Sequence, residues 1–337
     1  MKILVVGLGS IGRRHIKNLK AVDPALELAI LREHSKSADL GDVSGLIGQV
    51  FFEQEKAIAW HPQAVVIANP ASAHMATALC FAQAGAHLFI EKPLSMSLEG
   101  IDGLQKICQD KKLIAVVGYV MRFLSPIVVM KEALMQGKIG RLLSVQAKVG
   151  KYLPSWRTGD YRTQVSARRD LGGGVVLELS HEIDYVRWLA GEIKEIQAMT
   201  GKLSDLDIDV EDVAEIQACH EGGVLSHIHL DMVDHAPNRG CRLIGTEGTL
   251  VWDNMQAEHI VRLWRSTDKE WQTIYEQKNL DANVMHAAQW RHFFDCINTG
   301  CPPLVSLKEA KRVLELSLSV LGSPPLVGGV RGGGTAL

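Results

Sequence analysis

The stretch that decides the fold of the first half is Ile3-Leu4-Val5-Val6-Gly7-Leu8-Gly9-Ser10-Ile11-Gly12, which leads into a helical segment over residues 13–19. Four apolar residues predict a short buried strand, and three glycines follow it with the spacing G-x-G-x-x-G. Such glycines allow a tight turn and a close approach of the backbone to a pyrophosphate, which the helix N-terminus faces. Because the motif lies between a strand and a helix, it predicts a dinucleotide-binding turn. The residues of this turn are Gly7, Gly9, Ser10, Ile11 and Gly12.

The same pattern recurs over residues 1 to about 120. Short apolar runs are each followed by a turn marked by Gly or Pro and then by an amphipathic segment. The runs are residues 3–6, 26–31, 64–68, 88–90 and 114–117. Short apolar strands that alternate with helices are typical of a parallel sheet covered on both faces. We therefore expect an α/β, doubly wound domain over residues 1–122.

From about residue 140 the pattern changes to longer runs that alternate in polarity or are rich in β-branched residues. The runs are residues 142–149, 193–200, 213–219, 224–233, 242–244, 249–252 and 260–264. Gly222-Gly223 separates two of them with the spacing of a hairpin. The pattern predicts an α+β domain over residues 123–321, with a large, mostly antiparallel open sheet fronted by helices at 176–189, 284–298 and 306–321. The Gly- and Pro-rich tail, 322–337, is predicted to be flexible.

Composition limits the classes of partner. With 47% hydrophobic and 22% charged residues the chain is typical of a globular protein. Its 36 Lys and Arg against 38 Asp and Glu give a net charge of -2, so no general basic field attracts nucleic acid or anionic lipid. We expect no signal peptide, because glycines interrupt the N-terminal apolar run and Arg13-Arg14-His15 follows before any A-x-A site. We expect no membrane span, because no stretch reaches about 18 apolar residues. Six cysteines without a C-x-x-C pair predict reduced thiols in a cytoplasmic protein.

Cofactor choice depends on the end of the second predicted strand, Leu31-Arg32-Glu33-His34-Ser35. An acidic residue at this place would hold the ribose hydroxyls of NAD. Arg32 instead suits the 2′-phosphate of NADP, with Ser35 and Lys36 within reach of the same group. The sequence thus favours NADP over NAD. Two alternatives remain: Glu33 serves NAD, or Arg32 is only a solvated residue at a strand end.

Further motifs identify a family. Ala68-Asn69-Pro70 with His74 follows the third apolar run, Glu91-Lys92-Pro93 ends the next one, and Gly172-Gly173-Gly174 precedes a histidine-bearing helix. Together with the opening glycines these motifs resemble the Gfo/Idh/MocA oxidoreductases, over residues 1 to about 320. The resemblance implies an N-terminal Rossmann domain that holds NAD(P) and a C-terminal α/β domain whose open sheet makes oligomer contacts. It therefore implies a homodimer or homotetramer formed through that sheet.

The resemblance also assigns roles. Lys92 matches the family's Glu-Lys-Pro lysine, which contacts substrate and cofactor at the reacting carbon. Independently, a lysine at the carboxyl end of a parallel strand projects into the ligand crevice of such folds; the alternative is a surface lysine that merely follows a strand. Four further positions resemble the family's nicotinamide-side wall: Asn69, Pro70, His74 and Glu91.

Oxidation of an alcohol needs a group that takes the hydroxyl proton, and histidine suits that task. His181 is the candidate, on the predicted helix 176–189. The family places an Asp four positions before its His and another three after it; here Glu178 precedes His181 by three, while Asp184 keeps its offset. At i and i+3, Glu178 and His181 would share a helix face. If the gap in the alignment with the family pattern lies elsewhere, Glu182 fills the fourth position instead. In a third alternative, Ser180 caps the helix and His181 and Glu182 are solvated.

The segment before the triple glycine, residues 151–170, is rich in aromatic and basic residues. It carries Lys151, Arg157, Arg162, Arg168 and Arg169 against Asp160 and Asp170, a local excess of three positive charges. Planar donors and aromatic faces suit sugar rings, and the charge suits a carboxylate or phosphate. The predicted substrate contacts are Arg122, Tyr152, Trp156, Arg157, Tyr161, Arg162 and His181. The alternative is a solvated surface loop.

One further pattern resembles a metal site. His227, His229 and Asp231 alternate along a predicted strand and so share one face of the sheet. Because no fourth candidate ligand lies at a sequence spacing typical of a metal site, we expect a sheet face that meets solvent or another subunit, and no bound metal.

These features predict an NAD(P)-dependent dehydrogenase or reductase of CH–OH groups. It would transfer a hydride between the nicotinamide and a secondary hydroxyl or keto carbon of a sugar, acidic or nucleotide-linked, or of a cyclitol. Two alternatives are open. One is a reductase of an imine or unsaturated substrate on the same fold. The other is a catalytically inactive NAD(P)-sensing or partner-binding protein.

Overall fold

The computed structural model describes residues 1–32, 40–255 and 258–323, apart from the side chains of residues 254 and 255. The chain forms two compact units. The first contains Met1–Val128, Asp170–Gly172 and Leu280–Glu315, and the second contains Val129–Arg169, Gly173–Asn279 and the chain from Leu316 on. The division at 122/123 stays a prediction. Residues 324–337 of the predicted flexible tail lie outside the described residues.

Fourteen strands and nine α-helices lie within the described ranges. The strands are β1 (Lys2–Val6), β2 (Glu27–Leu31), β3 (Gln49–Phe51), β4 (Ala64–Ile67), β5 (His87–Ile90), β6 (Ala115–Val117), β7 (Leu142–Gly150), β8 (Ile193–Gly201), β9 (Val213–His220), β10 (Leu225–Asp231), β11 (Asn238–Gly245), β12 (Gly248–Met255), β13 (Glu258–Arg265) and β14 (Trp271–Lys278). The helices are α1 (Ser10–Val22), α2 (Gln54–Ala59), α3 (Ala71–Gln83), α4 (Ile101–Asp110), α5 (Ser125–Met135), α6 (Val175–Glu178), α7 (His181–Ala190), α8 (Asn283–Thr299) and α9 (Leu307–Leu321).

The first unit contains a six-stranded parallel sheet in the order β3-β2-β1-β4-β5-β6. Its central strands are almost entirely apolar and fully buried, as expected of a parallel sheet with helices on both faces. The predicted doubly wound fold is confirmed. The sequence missed β3, since a run of three residues with one fully buried member carries little hydrophobic pattern.

The second unit contains an eight-stranded sheet in the order β14-β13-β12-β11-β7-β10-β9-β8. All neighbours are antiparallel except β7 and β10, so the predicted mostly antiparallel sheet is confirmed. Gly222-Gly223 lies in the hairpin between β9 and β10, where Leu225 pairs with Cys219. Helix α7 packs against β7 and β10 on one face. Strand β14 was not predicted, because its residues are mostly exposed.

Two helical predictions were wrong in part. The helix at 284–298 exists as α8, but it belongs to the first unit and packs against α1 instead of the second sheet. Trp290 and Phe293 are fully buried there, and the Trp290 ring stacks on Phe89 with centroids 4.3 Å apart. These apolar contacts determine the position of α8.

The predicted helix at 176–189 is interrupted. Helix α6 ends at Glu178 and α7 begins at His181, and between them the Ser180 hydroxyl donates to Leu177 O at 3.0 Å. Glu178 and His181 therefore lie on different helices, and the predicted i, i+3 pairing on one face is wrong. No helix in the described part of the chain combines the length and apolar character of a membrane span.

Candidate active site

In the glycine turn after β1, two of the three glycines are closely packed and the third is open. Gly7 has φ +96°, and a Cβ there would lie 2.6 Å from Ala68 O; a Cβ at Gly12 would overlap Gly7 O. Both positions therefore exclude any larger residue. At Gly9 an added Cβ would meet nothing within 4 Å. The backbone at Gly9 is thus accessible to a ligand, while Gly7 and Gly12 hold the turn against β4 and α1.

The first turn of α1 carries no acidic residue, and Arg13 and Arg14 follow it. The unpaired N–H groups of a helix N-terminus attract anions, and no carboxylate competes for them here. Arg13 itself donates to Leu40 O at 2.6 Å and to Asp42 at 2.8 Å. The start of α1 is therefore suited to a pyrophosphate.

Asn69 lies in the turn after β4, next to the glycine turn. Its Nδ2 donates to Thr77 Oγ1 at 3.0 Å, but its buried Oδ1 accepts no hydrogen bond from any described residue. A buried acceptor without a donor usually marks the place of a ligand or water. The open glycine turn and this unused acceptor fit a dinucleotide, with the pyrophosphate on the turn and a donor of the cofactor near Asn69.

Arg32 directly follows β2, at the same edge of the sheet. Its N–H donates to Phe51 O at 2.9 Å, and the preceding Leu31 O accepts from Gly7 N–H at 3.3 Å. Arg32 thus lies beside the glycine turn, as the NADP prediction requires. Glu33, Ser35 and Lys36, which entered the choice between NADP and NAD, lie outside the described residues.

His74 links the turns after β4 and β5. Its two ring nitrogens each lie 2.9 Å from a backbone carbonyl oxygen, one of Asn69 and one of Pro93. Burial lowers the pKa of His74, although both carbonyls oppose the shift, so the ring carries one proton and donates to one carbonyl at a time. His74 lies on α3 and Pro70 directly precedes this helix, so both are structural parts of this edge. A direct contact of His74 with the cofactor stays a prediction, and the burial of the His74 ring does not favour such a contact.

Lys92 follows β5 and is half-buried, whereas its neighbour Glu91 is buried. Glu91 Oε1 lies 2.6 Å from His15 Nε2 on α1. Burial raises the pKa of Glu91, but the hydrogen bond from His15, with a smaller contribution from the charge of Lys92, outweighs it and holds the pKa below its usual range. Glu91 is therefore ionised and engaged inside the first unit, while Lys92 lies at the carboxyl edge with the glycine turn.

Arg122 is placed differently from the prediction. It is almost fully buried in the first unit, where its guanidinium donates to Leu304 O and to Glu309, each at 3.1 Å. These contacts join residues 304–309 to the chain after β6. A substrate contact by Arg122 stays untested, and this geometry does not favour it.

The triple glycine, whose Gly173 and Gly174 belong to the second unit, precedes the segment that bears Glu178 and His181. Gly174 has φ +105°, and a Cβ there would overlap the Glu211 carboxylate, whose Oε1 accepts from Val176 N–H at 3.1 Å. Burial raises the pKa of Glu211. Glu211 thus holds the start of α6, and His181 is the half-buried first residue of α7.

Glu182 is not available as a partner of a substrate. Its fully buried carboxylate accepts from Arg239 Nε at 2.7 Å and from Arg239 Nη2 at 2.9 Å. This bidentate pair excludes the solvated His181–Glu182 pair and leaves Glu178 as the acidic candidate near His181.

The loop over residues 151–170 is a series of short 3-10 turns. Tyr152 packs on His235 with centroids 4.0 Å apart, and Trp156 Nε1 donates to Lys151 O at 2.7 Å. The aromatic side chains are thus fixed by contacts within the second unit.

The charge surplus of this loop is smaller than its sequence indicates. Arg162 forms a bidentate pair with Asp160, with Nη2 2.8 Å from Oδ2, and faces Asp207 at 3.7 Å. Arg169 donates to Asp209 O at 2.7 Å. Asp207, 45 positions from Arg162, therefore offsets part of the surplus, whereas Arg169 contacts a neutral backbone carbonyl. Arg157 is exposed and makes no ion pair within the described ranges.

The pattern on β10 forms an ion-pair cluster. His229 lies 2.6 Å from Glu215 and 3.0 Å from Asp231, and His227 lies 3.0 Å from the other oxygen of Glu215. Among the described residues no group of His, Cys, Asp and Glu is arranged to hold a metal ion.

Three residues of these surroundings were not predicted: His15, Glu211 and Trp290. His15 is a polar residue on the buried side of α1, which the helical period of that segment could have indicated. Glu211 and Trp290 are far from the motifs in sequence, and no local signal marks them.

Both halves of the chain match known families. Residues 1–119 match the family model described as an oxidoreductase family with an NAD-binding Rossmann fold, and residues 127–251 match the GFO/IDH/MocA C-terminal domain. The chain is 26% identical over 330 residues to myo-inositol 2-dehydrogenase of Thermotoga maritima, with 94% of each chain covered.

Solved structures share the fold. Levoglucosan dehydrogenase in complex with NADH superposes with a TM-score of 0.84 at 18% identity, over 96% of each chain. The WlbA dehydrogenase of Bordetella pertussis, in complex with NADH and UDP-GlcNAcA, superposes with a TM-score of 0.79 at 21% identity, again over 96% of each chain.

Proposed function

The chain belongs to the Gfo/Idh/MocA family of NAD-binding oxidoreductases, and from this premise we propose that it oxidises a secondary hydroxyl of a sugar or cyclitol, or reduces the corresponding ketone. The observation that carries the proposal is the carboxyl edge of the first sheet. There the accessible backbone at Gly9, the unused acceptor of Asn69 and the lysine after β5 lie in one compact unit. Ligands of such sheets bind at this edge.

The roles of the chain's residues follow from their chemistry and from the family. When bound, the nicotinamide supplies or accepts the hydride. The Lys92 ammonium would polarise the substrate oxygen, and His181 would exchange the hydroxyl proton, since a neutral imidazole can accept it. Glu178 would assist His181 from the preceding helix. The cofactor's pyrophosphate would lie on the turn from Gly7 to Gly12.

The substrate class is supported by the relatives and by the loop over 151–170. The relatives named above act on myo-inositol and levoglucosan, and one structure holds UDP-GlcNAcA. Fixed aromatic faces at Tyr152 and Trp156 and the exposed Arg157 suit a sugar that carries an anionic group. For the cofactor, Arg32 beside the glycine turn favours NADP over NAD.

The open face of the second sheet supports a homo-oligomer. Leu225, Met199 and Trp271 point away from the face that α7 covers, and their exposed fractions are 59%, 50% and 46%. Large exposed apolar residues on one face indicate an interaction surface. Sedimentation velocity tests this: Leu225→Glu with Met199→Glu should yield monomers, whereas Leu203→Glu, at an exposed loop position, should not. A monomeric wild type would refute it.

Turnover on a panel tests the function itself. The purified chain is assayed for reduction of NAD and NADP with inositols, levoglucosan, sugar acids and UDP-linked sugars, and in reverse with imines. We expect turnover of at least one alcohol, and Lys92→Ala should lower kcat/KM by about 100-fold with cofactor affinity within a few-fold. Lys106→Ala, an exposed lysine on α4, is the control. Turnover of no alcohol, or normal turnover by Lys92→Ala, would contradict the proposal.

A further inference from the structure

Three buried side chains form a hydrogen-bonded chain inside the first unit. His15 lies on α1, Glu91 follows β5 and Trp290 lies on α8; His15 and Trp290 are fully buried. His15 Nε2 lies 2.6 Å from Glu91 Oε1, and Trp290 Nε1–H donates to His15 Nδ1 at 3.2 Å. The chain thus joins the helix of the glycine turn to the residue before Lys92.

The donors and acceptors allow one arrangement of protons. An indole N–H can only donate, so His15 Nδ1 must accept and cannot carry a proton. The ring proton of His15 is then on Nε2, where it donates to Glu91 Oε1. If His15 were an imidazolium, its Nδ1–H and the Nε1–H of Trp290 would point at each other. Trp290 therefore selects the neutral Nε2–H tautomer, and Glu91 accepts as a carboxylate.

Packing fixes the orientation of this donor. The Trp290 ring stacks on Phe89 at an interplanar angle of 26° and meets the His15 ring edge-on at 90°. The centroids of Trp290 and His15 are 5.3 Å apart. Phe89 lies on β5, two residues before Glu91. The indole is thus held by the same strand that precedes Glu91 and Lys92.

The titratable groups that face Glu91 are His15, His286 and Lys92. His286 lies 5.8 Å from His15, centroid to centroid, and burial lowers its pKa to about 4, so it is neutral near pH 7. With His15 neutral as well, Lys92 is the cation whose charge the Glu91 carboxylate balances.

The backbone closes the other side of the carboxylate. A Cβ at Gly118 would lie 3.0 Å from both Glu91 oxygens, and Lys92 N–H donates to Glu91 Oε2 at 3.3 Å. Displacement of the carboxylate by a few tenths of an ångström would therefore move the peptide that carries Lys92.

We propose that His15 and Trp290 are positioning residues for Lys92: Trp290 fixes the His15 tautomer, His15 holds the Glu91 carboxylate, and Glu91 holds the lysine that follows it. The inference rests on the proposed function for its catalytic consequence. Since His15 lies on the helix that begins at the glycine turn, the same chain connects the cofactor's turn to Lys92.

A measurement without turnover tests the proton arrangement. In ¹⁵N-histidine NMR spectra of the wild type, the His15 signals, identified by their loss in His15→Gln, should show Nε2 protonated and Nδ1 unprotonated. In Trp290→Phe, Nδ1 loses its donor, so the Nε2–H tautomer should no longer be the single form under the same conditions. An imidazolium or an Nδ1–H tautomer in the wild type would overturn the inference.

Kinetics then test the positioning. Trp290→Phe keeps an aromatic ring but loses the donor, and kcat should fall by about 10- to 100-fold while KM for the cofactor stays within a few-fold. His15→Gln keeps one donor and one acceptor and should lose less activity than His15→Leu. Phe293→Leu reduces the same aromatic cluster without touching the hydrogen bonds, and its kcat should stay near wild type.

Equal losses of kcat in Trp290→Phe and Phe293→Leu would show a merely structural role and overturn the inference. Gly118→Ala, which presses on Glu91 from the opposite side, should reproduce the loss of Trp290→Phe; unchanged kcat there would also overturn it. If the wild type oxidises no alcohol of the panel, the proposed function fails. The NMR result then tests the proton arrangement of the hydrogen-bonded chain independently of turnover.

Discussion

Glu182, the neighbour of His181 in the chain, is fully buried and holds Arg239 through two hydrogen bonds of 2.7 and 2.9 Å. The pair joins α7 to β11 inside the second unit. A carboxylate that is engaged in this way stabilises the helix on which His181 lies, and it is not free to accept a proton from a substrate. The two adjacent residues therefore have separable effects on stability and on activity.

Glu182→Gln should destabilise the protein. Loss of one partner leaves the Arg239 guanidinium, whose side chain is 23% exposed, without its counter-charge, and breaking a buried pair costs about 3 to 5 kcal/mol. Urea unfolding measures this loss. Asp110→Asn, which removes an exposed pair with Lys106, should cost less than about 1 kcal/mol. Equal costs in both variants would show that burial does not strengthen the Glu182 pair.

His181→Asn should leave stability nearly unchanged but abolish the rise of alcohol oxidation with pH. A neutral imidazole accepts the hydroxyl proton, and an amide cannot. The pH profile of kcat for the alcohol found by the panel measures this effect, and Glu182→Gln serves as the comparison at a temperature where it remains folded. If Glu182→Gln lost the rising limb and His181→Asn kept it, the assignment of the proton carrier would be reversed.

The sequence predicted the first sheet well because its information is local. Each strand is a short apolar run next to a glycine or proline turn, and β1, β2, β4, β5 and β6 lie within about a residue of the predicted runs. The carboxyl edge follows from that order, because parallel strands end at the same edge of their sheet. The motifs alone therefore bring Gly7, Asn69 and Lys92 to one side of the first unit.

The rest depends on contacts between distant residues. Trp290 donates a hydrogen bond to His15, which is 275 positions away in the sequence, and this contact connects α8 to the first unit. At the break before His181 the Ser180 hydroxyl bonds back to Leu177 O, a contact that periodicity does not detect. The charge of the loop over 151–170 was misjudged because Asp207, whose carboxylate faces Arg162, belongs to a segment that is remote in sequence.

The cluster on β10 should make stability depend on pH above neutrality. Hydrogen bonds to Asp231 and Glu215 outweigh burial and raise the pKa of His229 to about 9 from 6.5. Because the folded state binds this proton more tightly, its contribution is fully present below about pH 6.5 and is lost as the pH rises through about 9. Urea unfolding at about pH 6 and pH 10 should show this decline in the wild type and a smaller one in His229→Gln. Parallel curves for the two proteins would contradict the prediction.

Arg32 should decide the choice of cofactor. A guanidinium can grip a 2′-phosphate with two hydrogen bonds, and a charge-assisted contact of this kind contributes about 1.5 to 3 kcal/mol, or roughly 10- to 150-fold in affinity. Titration of NADPH and NADH fluorescence should therefore show a preference for NADPH that Arg32→Ala loses, with NADH binding little changed. Arg141→Ala, an exposed arginine of the second unit, is the control. A wild-type preference for NADH would remove NADP as the cofactor and direct attention to Glu33.

The last prediction separates two arginines of the loop over 151–170. Arg162 already forms a bidentate pair with Asp160, and this pair, with a smaller contribution from Asp207, leaves it little capacity for a ligand. Arg157 is exposed and makes no ion pair among the described residues, so it is the better candidate for an anionic sugar. Loss of one charge-assisted contact costs about 1.5 to 3 kcal/mol.

Arg157→Ala should therefore raise KM for a sugar acid or UDP-linked sugar by about 10-fold or more, with kcat and cofactor affinity nearly unchanged. Arg162→Ala should raise KM by much less, because it removes a side chain that Asp160 already occupies. Steady-state kinetics with paired acidic and neutral sugars measure both effects. An equal preference of the wild type for neutral and acidic sugars, insensitive to Arg157→Ala, would refute the anionic substrate. A larger effect of Arg162→Ala would instead mean that the substrate competes with Asp160 for its guanidinium.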